Sequence, residues 1–241
     1  MENKYDEPQN LSLTKKQRKI IRIKNIILDG ATELFLKKTY ENTSMNEIAD
    51  FVALSRATLY NYFRTKEEIY YDIGTRYGQD LIKKLQKLKD PKKSGLEVLI
   101  SIFKILLEDT LENPFIPQIL SNLYLKLNDL NLLNNFFYDA LNKNKSTEVK
   151  ASIDSLDRHV IGFTNIFITY RIIMNSEFQR GIKDGSIKTS LGNFGFFSIM
   201  NIVYIGSGGF FRSFQFPLKQ YGMTEKKIIE LILELIISQL T

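Results

Sequence analysis

The run SMNEIADFVALSRATLYNYFRTKEEIY, Ser44–Tyr70, decides how this chain is read. Ser44 and Glu47 stand at the spacing of a capping box, in which a hydroxyl and a carboxylate three residues on satisfy each other's free backbone N–H groups. That predicts a short helix from Met45 to about Phe51. Val52-Ala53-Leu54 makes a tight connection, and Ser55 is a good N-cap for a second short helix, Arg56 to Phe63. Thr65 and Glu68 repeat the capping-box spacing and open a long helix reaching about Lys89. Two short helices joined by a turn of three or four residues make a helix-turn-helix. Ile48, Ala49, Val52 and Leu54 are expected to pack inward, with Leu59 and Phe63 sealing the second helix. Arg56, Ala57, Thr58, Tyr60, Asn61 and Tyr62 are then left to the outside, where a helix of this size fits a DNA major groove.

On the N-terminal side, residues 16–38 read as a helix, with Ile20, Ile23, Ile27, Ala31, Leu34 and Phe35 recurring every three or four residues. On the C-terminal side, Asp90-Pro91-Lys92-Lys93-Ser94-Gly95 is the clearest break. Helical patterns follow at 96–112, 116–143, 148–183 and 190–213, and from Thr224 to about Gln239. Asn113-Pro114, the 142–147 stretch, Asp184-Gly185-Ser186 and Phe216-Pro217 separate them. Nowhere do Val, Ile and Thr alternate with polar residues for long, so the fold class is all-α. The domain boundary is expected near residue 66, giving domains at 15–66 (motif about 44–63) and 67–241.

Charge agrees with this division. Residues 15–66 carry eleven Lys/Arg and five acids, net +6, whereas residues 67–241 carry twenty-one and nineteen, net +2. A basic excess confined to a small module is what a polyanion-binding segment requires. The chain has no Cys and a single His (His159), which excludes disulfides, thiolate metal sites and His-based zinc sites. No phosphate-cradling glycine loop, metal set or nucleophile–base motif is present, so no enzyme, cofactor or metal is expected. The polar, acidic leader MENKYDEPQN lacks a basic and then apolar run, so the expected address is cytoplasmic.

The Ser44–Tyr70 run, preceded by AxxLFxxxxYxxTS over Ala31–Ser44, resembles the TetR family of bacterial transcriptional regulators. The family pattern is matched at Thr43, Ser44, Ile48, Ala49, Ser55, Thr58, Leu59, Tyr60, Tyr62, Phe63, Lys66 and Glu67. Two family glycines are replaced, by Thr39 and by Ala53, and a turn strained by roughly 1 kcal/mol is expected at Ala53. The resemblance implies an N-terminal three-helix DNA-binding domain and a larger C-terminal helical domain for ligand binding and dimerisation. It also implies a partner, double-stranded DNA, bound at a pseudo-palindromic operator by a homodimer, most often as a ligand-responsive repressor. Thr43 and Ser44 would bind phosphate, Tyr60 and Tyr62 would touch phosphate or a thymine methyl, and Lys66 would pair with phosphate. Arg56, Thr58 and Asn61 would read bases, with Asn46 also reaching the groove and Ala57 facing it.

In the C-terminal part, pairing through the last two helices is implied by the same resemblance. Thr189–Phe211 holds no charge over 23 residues, long enough to span a membrane. Its asparagines, serines and glycines favour instead a helix buried in a dimer interface, so no membrane partner is expected. The competing reading is a helical membrane- or protein-interaction module with a vestigial DNA-binding motif. Phe103, Phe136, Phe137, Phe163, Phe167 and Tyr170 are candidates to line a pocket for an apolar or aromatic effector, and His159 and Arg171 to orient its polar group. For most of these aromatics a place in the core is the alternative.

Overall fold

The computed structural model describes residues 13–113, 116–129, 157–192, 195–196, 198–206 and 224–241. All regular structure among them is α-helical. The helices are α1 (Lys15–Lys38), α2 (Met45–Phe51), α3 (Arg56–Tyr62), α4 (Lys66–Gln86), α5 (Gly95–Glu112), α6 (Ile116–Asp129), α7 (Arg158–Asp184) and α8 (Glu225–Leu240). Residues 198–206 are helical as well. The chain divides into two compact units, Met1–Ile73 and Gly74–Thr241, so the division falls inside α4, further along that helix than residue 66.

In the N-terminal unit, α1 starts at a capping box: Thr14 Oγ1 accepts the Gln17 N–H, and Gln17 Oε1 accepts the Thr14 N–H at 2.8 Å. Its buried face begins only at Ile27 and continues through Leu28, Ala31, Leu34 and Phe35. Ile20, expected on that face, is exposed, and Ile23 is half-buried, because the first turns of α1 run past the packed core. Ile27, Ala31, Ile48, Ala49, Leu59, Phe63, Ile69 and Ile73 are all fully buried. Val52 and Leu54 are only half-buried, being on the connecting turn. Gly30 sets how closely α1 and the end of α2 approach, since a Cβ there would stand 2.3 Å from Val52 Cγ1.

In the C-terminal unit, α5 and α7 form the most extensive helix pair. They run antiparallel, the start of α5 meeting the end of α7. Val98, Leu99, Ile102, Phe103, Leu106 and Leu107 face inward from α5 at helical spacing. Gly95 and Gly181 touch where the helices cross: a Cβ on Gly95 would lie 2.1 Å from the Gly181 nitrogen. The α5 N-terminus is held by its own Ser94–Glu97 capping box and by the residues after α7. The Gly95 N–H donates to Asp184 Oδ2 at 2.8 Å, and the Leu96 N–H to Ser186 Oγ at 3.2 Å. Arg180 Nη1 donates to the Lys93 carbonyl at 2.6 Å while its Nε donates to Glu177 at 2.7 Å. Leu107 packs with Ile228 and Ile229 of α8.

Two helix bounds depart from the sequence reading. The long helix α4 ends at Gln86 rather than Lys89, where the chain turns with Lys89 N–H donating to the Gln86 carbonyl. The 148–183 helix opens at Arg158, because Asp157 is extended and caps it by accepting the His159 N–H. The remainder of the segments read as 116–143 and 190–213 lies outside the described residues.

Candidate nucleic-acid interface

The helix-turn-helix is built by local chemistry. Ser44 Oγ accepts the Glu47 N–H at 3.2 Å, and Glu47 Oε2 accepts the Ser44 N–H at 2.8 Å. Lys38 Nζ donates to the other Glu47 oxygen at 2.7 Å. These donors hold the exposed Glu47 carboxyl down at a pKa of about 2, Lys38 contributing most and Ser44 next. Ser55 caps α3 by accepting the Thr58 N–H, and the two hydroxyls lie 2.7 Å apart. At α4, Thr65 accepts the Glu68 N–H as its spacing predicts, but the Glu68 carboxylate accepts from Arg64 N–H, one residue before the cap.

The turn between α2 and α3 takes positive φ at Ala53 (54°), and the loop after α1 takes it at Thr39 (φ 72°, ψ 160°). Among the described residues these are the non-glycine positions with positive φ, and they are the two where the family pattern carries glycine. Each side chain costs energy there because Cβ meets the backbone, and the Thr39 conformation lies in a region that glycine almost alone adopts.

Leu59 is fully buried, and on the opposite side of α3 Arg56, Ala57, Tyr60 and Asn61 are exposed. Thr58 and Tyr62 flank that face, half-buried, with the Thr58 hydroxyl engaged by Ser55. Asn46 is exposed on the first turn of α2. Ser44 is exposed too, with its hydroxyl inside the capping box.

Two residues expected at phosphate have their polar groups engaged within the domain. Thr43 is buried, and its hydroxyl donates to the Thr39 carbonyl at 2.8 Å. Lys66 Nζ donates to the carbonyls of Tyr40 (2.6 Å) and Thr43 (2.7 Å), with that of Glu41 at 3.4 Å, and lies 4.3 Å from the centre of the Tyr40 ring. The physical reason is shared: the positive-φ loop leaves carbonyls without helical partners, and these two side chains take them. Sequence separation hides this, since Lys66 reaches back 26 residues to Tyr40.

An open helix face on a compact three-helix core, in a segment of net +6, defines a helix-turn-helix DNA-binding protein. Residues 27–73 match the model of the bacterial regulatory proteins of the tetR family. An HTH-type transcriptional regulator of Staphylococcus aureus (strain USA300) is 28% identical over 137 residues, covering 52% of this chain and 71% of that protein. Among solved structures, a tetR-family regulatory protein from Rhodococcus RHA1 superposes with a TM-score of 0.63 at 15% identity, over 90% of this chain and 96% of that one. The ketosteroid transcriptional regulator KstR2 of Mycobacterium tuberculosis gives the same score and identity over 91% and 95%. At that identity the two structures are likenesses of fold. The chain is a DNA-binding transcriptional regulator whose residues 27–73 match the tetR family. The membrane- or protein-interaction reading is not favoured, and no described helix is long and apolar enough to cross a membrane.

In the C-terminal unit a cavity of about 40 Å³ is lined by Gly78, Leu81, Leu106, Ile116, Leu120, Phe163, Ile166, Phe167, Tyr170 and Tyr204. It unites three of the candidate aromatics, Phe163, Phe167 and Tyr170. Phe103 does not line it and packs against Phe196 instead, 6.3 Å between ring centres. His159 and Arg171 are buried but do not line it: His159 Nε2 accepts from Arg158 Nε, and the Arg171 guanidinium lies over the Phe167 ring. Phe136 and Phe137 lie outside the described residues. Tyr204, Leu106 and Ile116 carry no distinguishing signal in the sequence, where nothing separates them from other core residues.

Proposed function

We propose that the protein is a cytoplasmic, homodimeric, ligand-responsive repressor that binds a pseudo-palindromic operator. The observation that carries the DNA-contact part is the open face of α3, with Arg56, Ala57, Tyr60 and Asn61 exposed opposite buried Leu59. In this reading Arg56 and Asn61 meet base edges, as guanidinium suits guanine O6/N7 and a carboxamide suits adenine. Tyr60, Tyr62, Asn46 and Ser44 meet phosphate or thymine methyl groups, with Thr58 beside them. Thr43 and Lys66 act indirectly, by fixing the loop that sets the position of α2.

Pairing through the last two helices is supported by an open groove of about 380 Å³ between residues 199–206 and α8, lined by Ile199, Ile202, Val203, Gly206, Ile232, Leu235, Ile236 and Gln239. Ile202 is 71% and Leu235 69% exposed, an apolar surface that a second copy would cover. The apolar cavity beside Phe163 and Tyr170 supports an uncharged apolar or aromatic effector. At about 40 Å³ it is far below the roughly 300 Å³ of small-molecule pockets, so the effector would favour a more open conformation and act by its differential affinity for the two.

The test is quantitative binding to fragments selected from genomic DNA. Arg56→Ala and Asn61→Ala should each cost about 1–3 kcal/mol of discrimination between the selected site and unrelated DNA. Retention of full preference by the double variant would refute the assignment.

A further inference from the structure

We infer that the Phe167 ring is a movable partition between the apolar cavity and a buried polar corner made by Thr164 and Arg171. The effector joins the two, with its apolar body in the cavity and a carbonyl oxygen at Thr164 and Arg171. This rests on the reading of the cavity as the seat of an uncharged apolar or aromatic effector. The partition follows from spacing along α7. At about 100° per residue, Phe163, Ile166 and Tyr170 fall roughly 40–100° to one side of Phe167, and all three line the cavity. Thr164 and Arg171 fall roughly 40–60° to its other side. Both are buried, at 1% and 3% exposure. Arg171 reaches back along the helix, as long side chains there do, and its guanidinium carbon stands 5.7 Å from the Phe167 ring centre. That brings it toward Thr164, three residues before Phe167.

The Thr164 hydroxyl makes no hydrogen bond among the described residues. Thr32, Thr110 and Thr169, also within helices, each donate back to a carbonyl of their own helix. A buried hydroxyl left unpaired costs stability, and a ligand oxygen would remove that cost. Hydroxyl and guanidinium both donate, so the complementary group is an acceptor. With five N–H donors, a guanidinium can hold a carbonyl while still serving the fold around it. The cavity measures only about 40 Å³, against roughly 300 Å³ for small-molecule sites, so a lining ring must turn aside to admit an effector. Phe167 is the lining ring that also meets the polar corner, through Arg171.

The test compares 2-acetylnaphthalene with 2-isopropenylnaphthalene, which has the same shape but a methylene in place of the carbonyl oxygen. Binding to the full chain would be measured by equilibrium dialysis, and melting by circular dichroism. The protein is expected to bind the ketone about tenfold more tightly, the worth of one hydrogen bond to a charged donor. Thr164→Val keeps the volume and removes the hydroxyl. It should melt no lower and lose several-fold of the preference, with binding of the alkene unchanged. Phe167→Ala removes the partition and should bind both probes several-fold more tightly, with the preference kept. Equal binding of the two probes overturns the carbonyl. A preference untouched by Thr164→Val overturns the polar corner, and Phe167→Ala binding no more tightly overturns the partition. Binding of 2-naphthoate in preference to the ketone overturns the uncharged class. If neither the unmodified protein nor Phe167→Ala binds any of the three, the reading of the cavity as an effector site fails instead.

Discussion

In the N-terminal unit the helix starts are set by residues three or four apart, whereas in the C-terminal unit the start of α5 is joined as well to residues about ninety apart. Ser44 with Glu47, Ser55 with Thr58 and Thr65 with Glu68 each define a helix start locally. The start of α5 has its own Ser94–Glu97 cap but rests as well on Asp184, Ser186 and Gly181, at or just after the end of α7. A unit governed by local caps presents the same surface whatever its neighbours do, as a DNA-reading face requires. A unit held by a few long-range helix crossings can exchange one packing for another, as the proposed response to a ligand requires.

The largest effect is expected at the α5–α7 crossing. Gly95→Ala would place Cβ 2.1 Å from the Gly181 nitrogen and 2.4 Å from its Cα. Backbone atoms cannot rotate away, so we expect a loss of about 3 kcal/mol or more, read by chemical denaturation. If the comparison holds, the α2–α3 unit keeps its helicity in that variant while the C-terminal unit loses cooperativity.

Opposite in sign, and smaller, are the two positive-φ sites. Thr39→Gly should stabilise the N-terminal unit by about 1–2 kcal/mol and Ala53→Gly by about 1 kcal/mol, measured in the same denaturant series. A destabilising result at both would mean that the turn geometry is not that described.

Asp109 provides a pH test confined to the C-terminal unit. It is buried on α5, with Asn113 Nδ2 3.4 Å from its carboxylate, and burial raises its pKa, partly offset by Lys84. A carboxyl whose folded pKa is raised stabilises the protein when protonated, and that stability is lost as pH rises from the unfolded value through the folded one. Asp109→Asn should therefore raise Tm by a few degrees at neutral pH, with the gap closing toward pH 4.

Glu47 should show the reverse sign and the smallest effect. Its folded pKa is held down to about 2, so its contribution is present above the unfolded value near 4.5 and lost as pH falls toward 2. The Tm difference between the protein and Glu47→Gln, which keeps the cap, should shrink over that window.

Much of this comparison is legible in the sequence, and what is not has a common cause. Ser44, Ser55 and Thr65 announce their helices because a cap acts on its own next turn. The T-x-x-Q of Thr14 and Gln17 carries the same signal. Thr43 and Lys66 match a DNA-binding pattern equally well whether they face phosphate or the carbonyls of their own loop, and only the folded loop decides. Phe103 and Phe163 look alike along apolar helices, yet one packs against Phe196 and the other lines the cavity. The contact of Gly95 with Gly181 leaves no periodic trace at all.

The central claim is that α3 reads a specific, two-fold symmetric DNA sequence. The most direct measurement is enrichment of genomic DNA fragments by the purified protein, with excess competitor DNA at near-physiological salt. The account predicts recovery of an inverted repeat whose half-sites lie in successive major grooves, about 34–36 Å apart. Recovery of unselected fragments, lost together as salt rises, would contradict it.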